Sequence, residues 1–115
     1  MLIRPWLLLV FVLPSNMASA NLRFEEGIAR DPDSHRSIYR EQHWVRFSQQ
    51  MPVERLVLYR CIDGTPFARK RVNYQPSAQA PAFEFIDVRK GYVEGLRYQQ
   101  NKAALWYRPP GKAPE

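Results

Sequence analysis

The stretch VLYRCIDGTPFARKRVNY, residues Val57 to Tyr74, decides the fold. Two runs rich in β-branched and aromatic residues flank Asp63-Gly64, one of the strongest short signals for a β-hairpin. A two-residue turn would pair Ile62 with Thr65, but Pro66 has no N–H to donate. A four-residue Asp-Gly-Thr-Pro loop pairing Ile62 with Phe67 is the competing register. Both registers put Val57, Tyr59 and Cys61 on one face with Ala68, Lys70 and Val72. Both send Leu56, Leu58, Arg60 and Ile62 to the other face with Phe67, Arg69 and Arg71, because side chains alternate along a strand.

Working outward, apolar and aromatic residues recur at every second position, which is the strand period. Leu22 to Arg30 reads as a strand interrupted by Glu25-Glu26-Gly27, and Asp31-Pro32-Asp33-Ser34 as a turn. Ser37 to Phe47 places Tyr39, Glu41, His43, Val45 and Phe47 on one face. Ile38, Arg40, Gln42, Trp44 and Arg46 take the other. Val53–Ile62 and Phe67–Tyr74 are the strands of the hairpin. Beyond a Pro/Ser/Ala loop at Gln75–Pro81, strands are expected from Phe83, from Tyr92 to Tyr98 and from Ala103 to Arg108. The intervening turns are Arg89-Lys90-Gly91 and Gln99-Gln100-Asn101-Lys102. Connections this short exclude parallel crossovers, which need a dozen or more residues. The fold class is therefore all-β: an antiparallel meander of about seven strands, as a curved open sheet or partial barrel.

The chain opens MLIRPWLLLVFVLPSNMASA. Arg4, the apolar run Trp6–Leu13 and the small residues Ala18-Ser19-Ala20 form the three parts of a secretory signal peptide, cut between Ala20 and Asn21. The apolar run is too short for a transmembrane helix, which needs about 20 residues. Expected organisation is a signal peptide over 1–20, one antiparallel β domain over 21–108 and a Pro-rich flexible tail over 109–115. The expected location is the periplasm or cell envelope, with no transmembrane span after cleavage. Without Arg4 the mature chain has sixteen Lys and Arg against eleven Asp and Glu, a net +5. That balance permits contact with anionic lipid or other acidic surfaces, and the simpler reading is the solvated strand faces of a basic protein. Nucleic acid is not an expected partner, because export separates the chain from it.

Candidate chemistry is sparse. Cys61 is the single cysteine, so no intramolecular disulfide can form, and its neighbours Val, Tyr and Ala mark it as a buried or half-buried small residue. No sequence-near His or helix N-terminus is present to activate it as a nucleophile. Arg69-Lys70-Arg71 splits across the strand, leaving Arg69 and Arg71 with Arg60 as a candidate carboxylate or phosphate contact. The alternative is a charged face that discourages edge aggregation. Glu41 and His43 share a face at i, i+2, but a metal or acid–base site would need a third group such as Asp87 or Glu84. No metal, cofactor or catalytic set is assigned from the sequence.

The segments LYRCIDGTPFARKRV and FEFIDVRKGYVEGLR, the latter holding Asp87-Val88-Arg89-Lys90-Gly91-Tyr92, resemble uncharacterised exported β-rich proteins of Gram-negative bacteria. The resemblance spans Ile28 to Arg97. It implies the compartment and the fold, and no activity. Those proteins continue with further strands, which implies that this chain is a shorter version. The function expected is a non-enzymatic exported binding or accessory protein, holding an apolar or lipid-like ligand on a curved sheet. The alternative is an interaction module that docks an edge strand or basic face onto a larger envelope protein.

Overall fold

The computed structural model describes residues 21–110, so the signal peptide expected over 1–20 and residues 111–115 of the expected tail lie outside the described residues. Seven strands follow one another: β1 (Asn21–Arg30), β2 (Ser37–Ser48), β3 (Met51–Cys61), β4 (Pro66–Asn73), β5 (Ala82–Asp87), β6 (Tyr92–Gln99) and β7 (Lys102–Arg108). They form one antiparallel meander in sequence order, and β1 and β7 do not pair, so the sheet stays open. β1 runs unbroken through Glu25-Glu26-Gly27, contrary to the expected interruption. Its pairing with β2 supplies the backbone partners that compensate for the poor strand propensity of those three residues.

Turn chemistry sets the registers. Gln49-Gln50 (φ 50° and 66°) and Gln100-Asn101 (φ 50° and 65°) both adopt the left-handed pairs of two-residue hairpin turns. Asp31 behaves as expected, its Oδ1 accepting the N–H groups of Asp33 and Ser34 at 2.8 and 2.9 Å. The central hairpin takes neither expected register. Cys61 pairs its N–H with the Thr65 carbonyl at 2.8 Å and accepts from the Gly64 N–H at 2.9 Å. A three-residue loop, Ile62-Asp63-Gly64, closes the hairpin, with Gly64 at φ 96° where a Cβ would be strained.

The register then slips between Tyr59 and Arg60: Tyr59 faces Ala68 while Arg60 faces Pro66, leaving Phe67 as the extra residue of a bulge. This corrects the expectation that Phe67 lies with Arg69 and Arg71. Its ring instead packs 5.8 Å from Tyr39 and 6.2 Å from Tyr59, on the other face. Pro66 supplies the reason, since it cannot donate to the ladder and a bulge accommodates it.

Registers across all seven strands define two faces. One row on the first face reads Gly27, Glu41, Tyr59, Ala68, Asp87, Tyr92, and we call it the tyrosine face. On the second, Phe24, Trp44, Leu56, Arg71, Glu84, Gly95 and Trp106 form a row, and Glu26, Gln42, Leu58, Arg69, Ile86, Val93 and Arg108 form the next; this is the arginine face. Each strand contacts only its sequence neighbours, so among the described residues no second layer covers either face. What core exists sits mainly on the tyrosine face, where Val45, Val57, Phe67, Ala68 and Val72 are buried under their neighbours. Full burial of a Val or Phe side chain contributes about 1.5–3 kcal/mol.

Candidate functional site

Charge divides unequally between the faces. The arginine face carries Arg40, Arg46, Arg60, Arg69, Arg71, Arg97, Lys102 and Arg108 against Glu26, Glu54 and Glu84. The strands of the tyrosine face carry Arg23, Arg55 and Lys70 against Glu25, Glu41, Asp87 and Glu94. One face is strongly cationic and the other close to neutral. Sequence reading missed this division beyond the hairpin, although strand alternation carries its signal.

An open groove of about 510 Å³ crosses the arginine face, its walls including Leu22, Trp44, Arg46, Leu56, Arg71 and Ala82. Leu22 and Leu56 are exposed, at 68% and 41%. Trp44 is held by the Phe24 ring at a centroid distance of 5.3 Å, giving the β1–β2 end a fixed aromatic wall. Toward β7, Trp106 lies over Gly95. A Cβ at Gly95 would come within 2.7 Å of the indole Nε1 and 2.5 Å of the Phe83 carbonyl oxygen. Glycine is therefore required for this close approach.

The cations around the groove are not equivalent. Arg46 pairs with Glu54 at 3.1 Å. Arg60 donates to the Gln42 side-chain oxygen and to the Gly64 carbonyl, both at 2.9 Å. Its guanidinium thus braces the hairpin turn. Among the described residues neither Arg69 nor Arg71 has a hydrogen-bond or ion-pair partner, and both are exposed. Arg71 stands opposite Glu84 in register without forming an ion pair within 4.0 Å, whereas Arg69 is flanked by Leu58 and Ile86.

The tyrosine face pairs its own polar groups over β2–β6, while Leu105 and Tyr107 of β7 stay exposed on it, at 81% and 70%. Tyr39, Tyr59, Phe67, Phe85 and Tyr92 form a chain of ring contacts, with Tyr59–Phe85 at 5.6 Å and Phe85–Tyr92 at 6.5 Å. Burial, with smaller effects from Glu41 and Tyr39, pushes the Tyr59 hydroxyl above its ordinary pKa. Tyr92 is raised too, chiefly because its hydroxyl donates to Glu94 at 2.7 Å. Arg55 donates to His43 Nδ1 at 2.9 Å and to the Tyr74 hydroxyl at 3.1 Å. Since arginine cannot accept, this geometry assigns Nδ1 as the acceptor and Nε2, 3.2 Å from Glu41, as the protonated nitrogen. Arg89 grips Asp87 through two contacts of 3.1 and 2.8 Å and caps the Phe67 ring at 4.0 Å.

Chemistry that would need convergence is not assembled. Glu41 and His43 touch, but Asp87 lies three strands away, roughly 14 Å at normal strand spacing. Glu84 is on the opposite face. No group of three His, Cys, Asp or Glu side chains suited to a metal occurs among the described residues. Cys61 is a free, half-buried thiol opposite Tyr39 on the tyrosine face. The structure therefore brings Arg60, Arg69 and Arg71 to one face and leaves the acidic and histidine candidates apart.

Compared with protein-family models, curated proteins and solved structures, the chain matches none. No helix among the described residues is long and apolar enough to cross a membrane.

Proposed function

We propose that this is an exported, non-enzymatic binding or accessory protein that holds an apolar or lipid-like ligand in the groove of its arginine face. The observation that carries this reading is the single-layer sheet with that groove open and its aliphatic walls exposed. A sheet face bearing large apolar residues is stabilised when another element or a ligand covers it. The groove volume lies within the range of about 300–1,000 Å³ usual for small-molecule sites. Native mass spectrometry of the detergent-free protein tests the reading. An adduct of lipid mass, displaced by a single-chain amphiphile, is expected. A ligand-free protein whose tryptophan emission ignores added amphiphile would sink it.

A second reading follows from the sheet edges. β1 has only β2 as a neighbour over ten residues, and Leu22, Phe24 and Ile28 along it are exposed. An edge strand of that length, with one side free among the described residues, is a template for strand addition by a larger envelope protein. Photo-crosslinkers along β1 would capture such a protein in the cell envelope if docking occurs there. Absence of any crosslinked partner, with the groove occupied by ligand, decides for the first reading.

A further inference from the structure

We infer that the occupant of the groove is an anionic amphiphile, bound one molecule at a time, whose carboxylate or phosphate head is gripped by Arg69 and Arg71. This rests on the ligand-holding reading above and narrows it to a chemical class. Arg71 lines the groove, and Arg69 lies two residues along the same strand face, about 6.6 Å away by strand geometry. That separation lets two flexible guanidinium groups converge on one oxyanion, which arginine binds through paired N–H donors. Both are without a partner among the described residues, unlike Arg46 and Arg60, which are held by Glu54 and by Gln42 with Gly64. Glu54 and Glu84 also line the groove, so Arg71 at its wall needs Arg69, which stands just outside the lining between Leu58 and Ile86, to outweigh them.

Charge selects this occupant over the alternatives. A second copy laid face to face would oppose eight cations to eight cations, with only three Glu on each side to compensate. A neutral lipid would cover Leu22, Leu56 and Trp44 but leave the two arginines repelling each other. A free small anion would satisfy the arginines and leave the aliphatic walls exposed. An amphiphile with one negative head does both.

Isothermal titration of the folded protein with three probes tests this: dodecyl phosphate below its micelle concentration, dodecyl maltoside with the same tail, and butyl phosphate with the same head. Dodecyl phosphate is expected to bind 1:1 and at least about tenfold more tightly than either other probe. Arg69→Gln and Arg71→Gln should each weaken it about tenfold, while dodecyl maltoside binding is unchanged. Equal binding of phosphate and maltoside, in wild type and variants alike, overturns the anionic assignment and leaves the ligand-holding reading standing. Failure of every probe to bind overturns both. Cosedimentation with anionic phospholipid vesicles without 1:1 binding of dodecyl phosphate also overturns the inference, in favour of surface docking. Thermal unfolding of each variant confirms that the exposed substitutions leave the fold intact.

Discussion

The two faces of this sheet are built from the same seven strands, yet they solve opposite problems. On the tyrosine face, rings contact rings across the strands and each of the polar groups Glu41, His43, Arg55, Asp87 and Glu94 has a partner. On the arginine face, Leu22, Phe24 and Leu56 stay exposed and Arg69 and Arg71 find no partner among the described residues. The difference teaches that the alternation of one residue along a strand separates groups that support the fold from groups left free for another use. A face that satisfies its own groups holds the sheet together. The face left unsatisfied is the one available to a ligand.

Adjacent residues on β3 offer the sharpest way to break that division. Val57 is 2% exposed on the tyrosine face, and Leu56 is 41% exposed on the arginine face. Val57→Asp removes a buried aliphatic side chain and desolvates a carboxylate, for which His43 and Lys70 opposite it compensate only in part, and should destabilise the domain by about 2 kcal/mol or more. Leu56→Asp places the carboxylate opposite Arg71 and should change stability by less than about 1 kcal/mol. Urea unfolding of the two variants checks the contrast; equal losses would mean that both faces support the fold alike.

Gly95 tests a place where the arginine face is also tightly packed. Its Cβ would meet the Phe83 carbonyl and the Trp106 indole, so Gly95→Ala should destabilise by about 1–3 kcal/mol despite the minimal change in size. Trp106 emission should shift as the ring is displaced. Retention of full stability would show that β7 moves freely over β6.

A smaller effect concerns the Asp87–Arg89 pair. Arg89, by its hydrogen bonds above all, holds the Asp87 carboxyl below its ordinary value of 3.8, although burial acts the other way. A carboxyl depressed in the folded state adds stability above its unfolded pKa and loses it as pH falls through the depressed value. Asp87→Asn should therefore melt below wild type at neutral pH, and the gap should narrow below about pH 4. Asp31 and Asp63, also depressed by local hydrogen bonds, are common to both proteins and cancel in the difference. A gap that stays constant with pH would show that the pair contributes nothing.

How far the sequence carries this picture depends on which rule governs each residue. Alternation across the hairpin places Leu56, Arg69 and Arg71 on one face, and short connections alone dictate the meander. Both are local rules, and both hold. Phe67 escapes because a bulge shifts alternation by one residue, and only the meeting of Pro66 with the β3 ladder produces it. The hairpin loop of three residues also depends on where the bulge falls, so neither simple register survives. The groove is less legible still. It draws Leu22 of β1 and Ala82 of β5, residues sixty positions apart, into the lining of one cavity. The unpartnered state of Arg69 and Arg71 is a matter of which acid reaches which base, and Glu84 stands opposite Arg71 without pairing.

The smallest expected effect bears most directly on function. Arg69 and Arg71 project from the same face of β4 into solvent, with no hydrogen bond among the described residues to lose. Replacing both with Gln removes like-charge repulsion and leaves aliphatic stems of similar reach along Leu58 and Ile86. The stability of the ligand-free double variant should therefore stay within about 0.5 kcal/mol of wild type. A loss of several kcal/mol would mean that these cations hold the sheet together, and the separation of a supporting face from a recognising face would fail. Addition of dodecyl phosphate should raise the Tm of wild type and leave the variant almost unmoved, because a ligand stabilises only the state it binds. Equal stability without ligand and unequal stability with it is the pattern that the two-faced sheet requires.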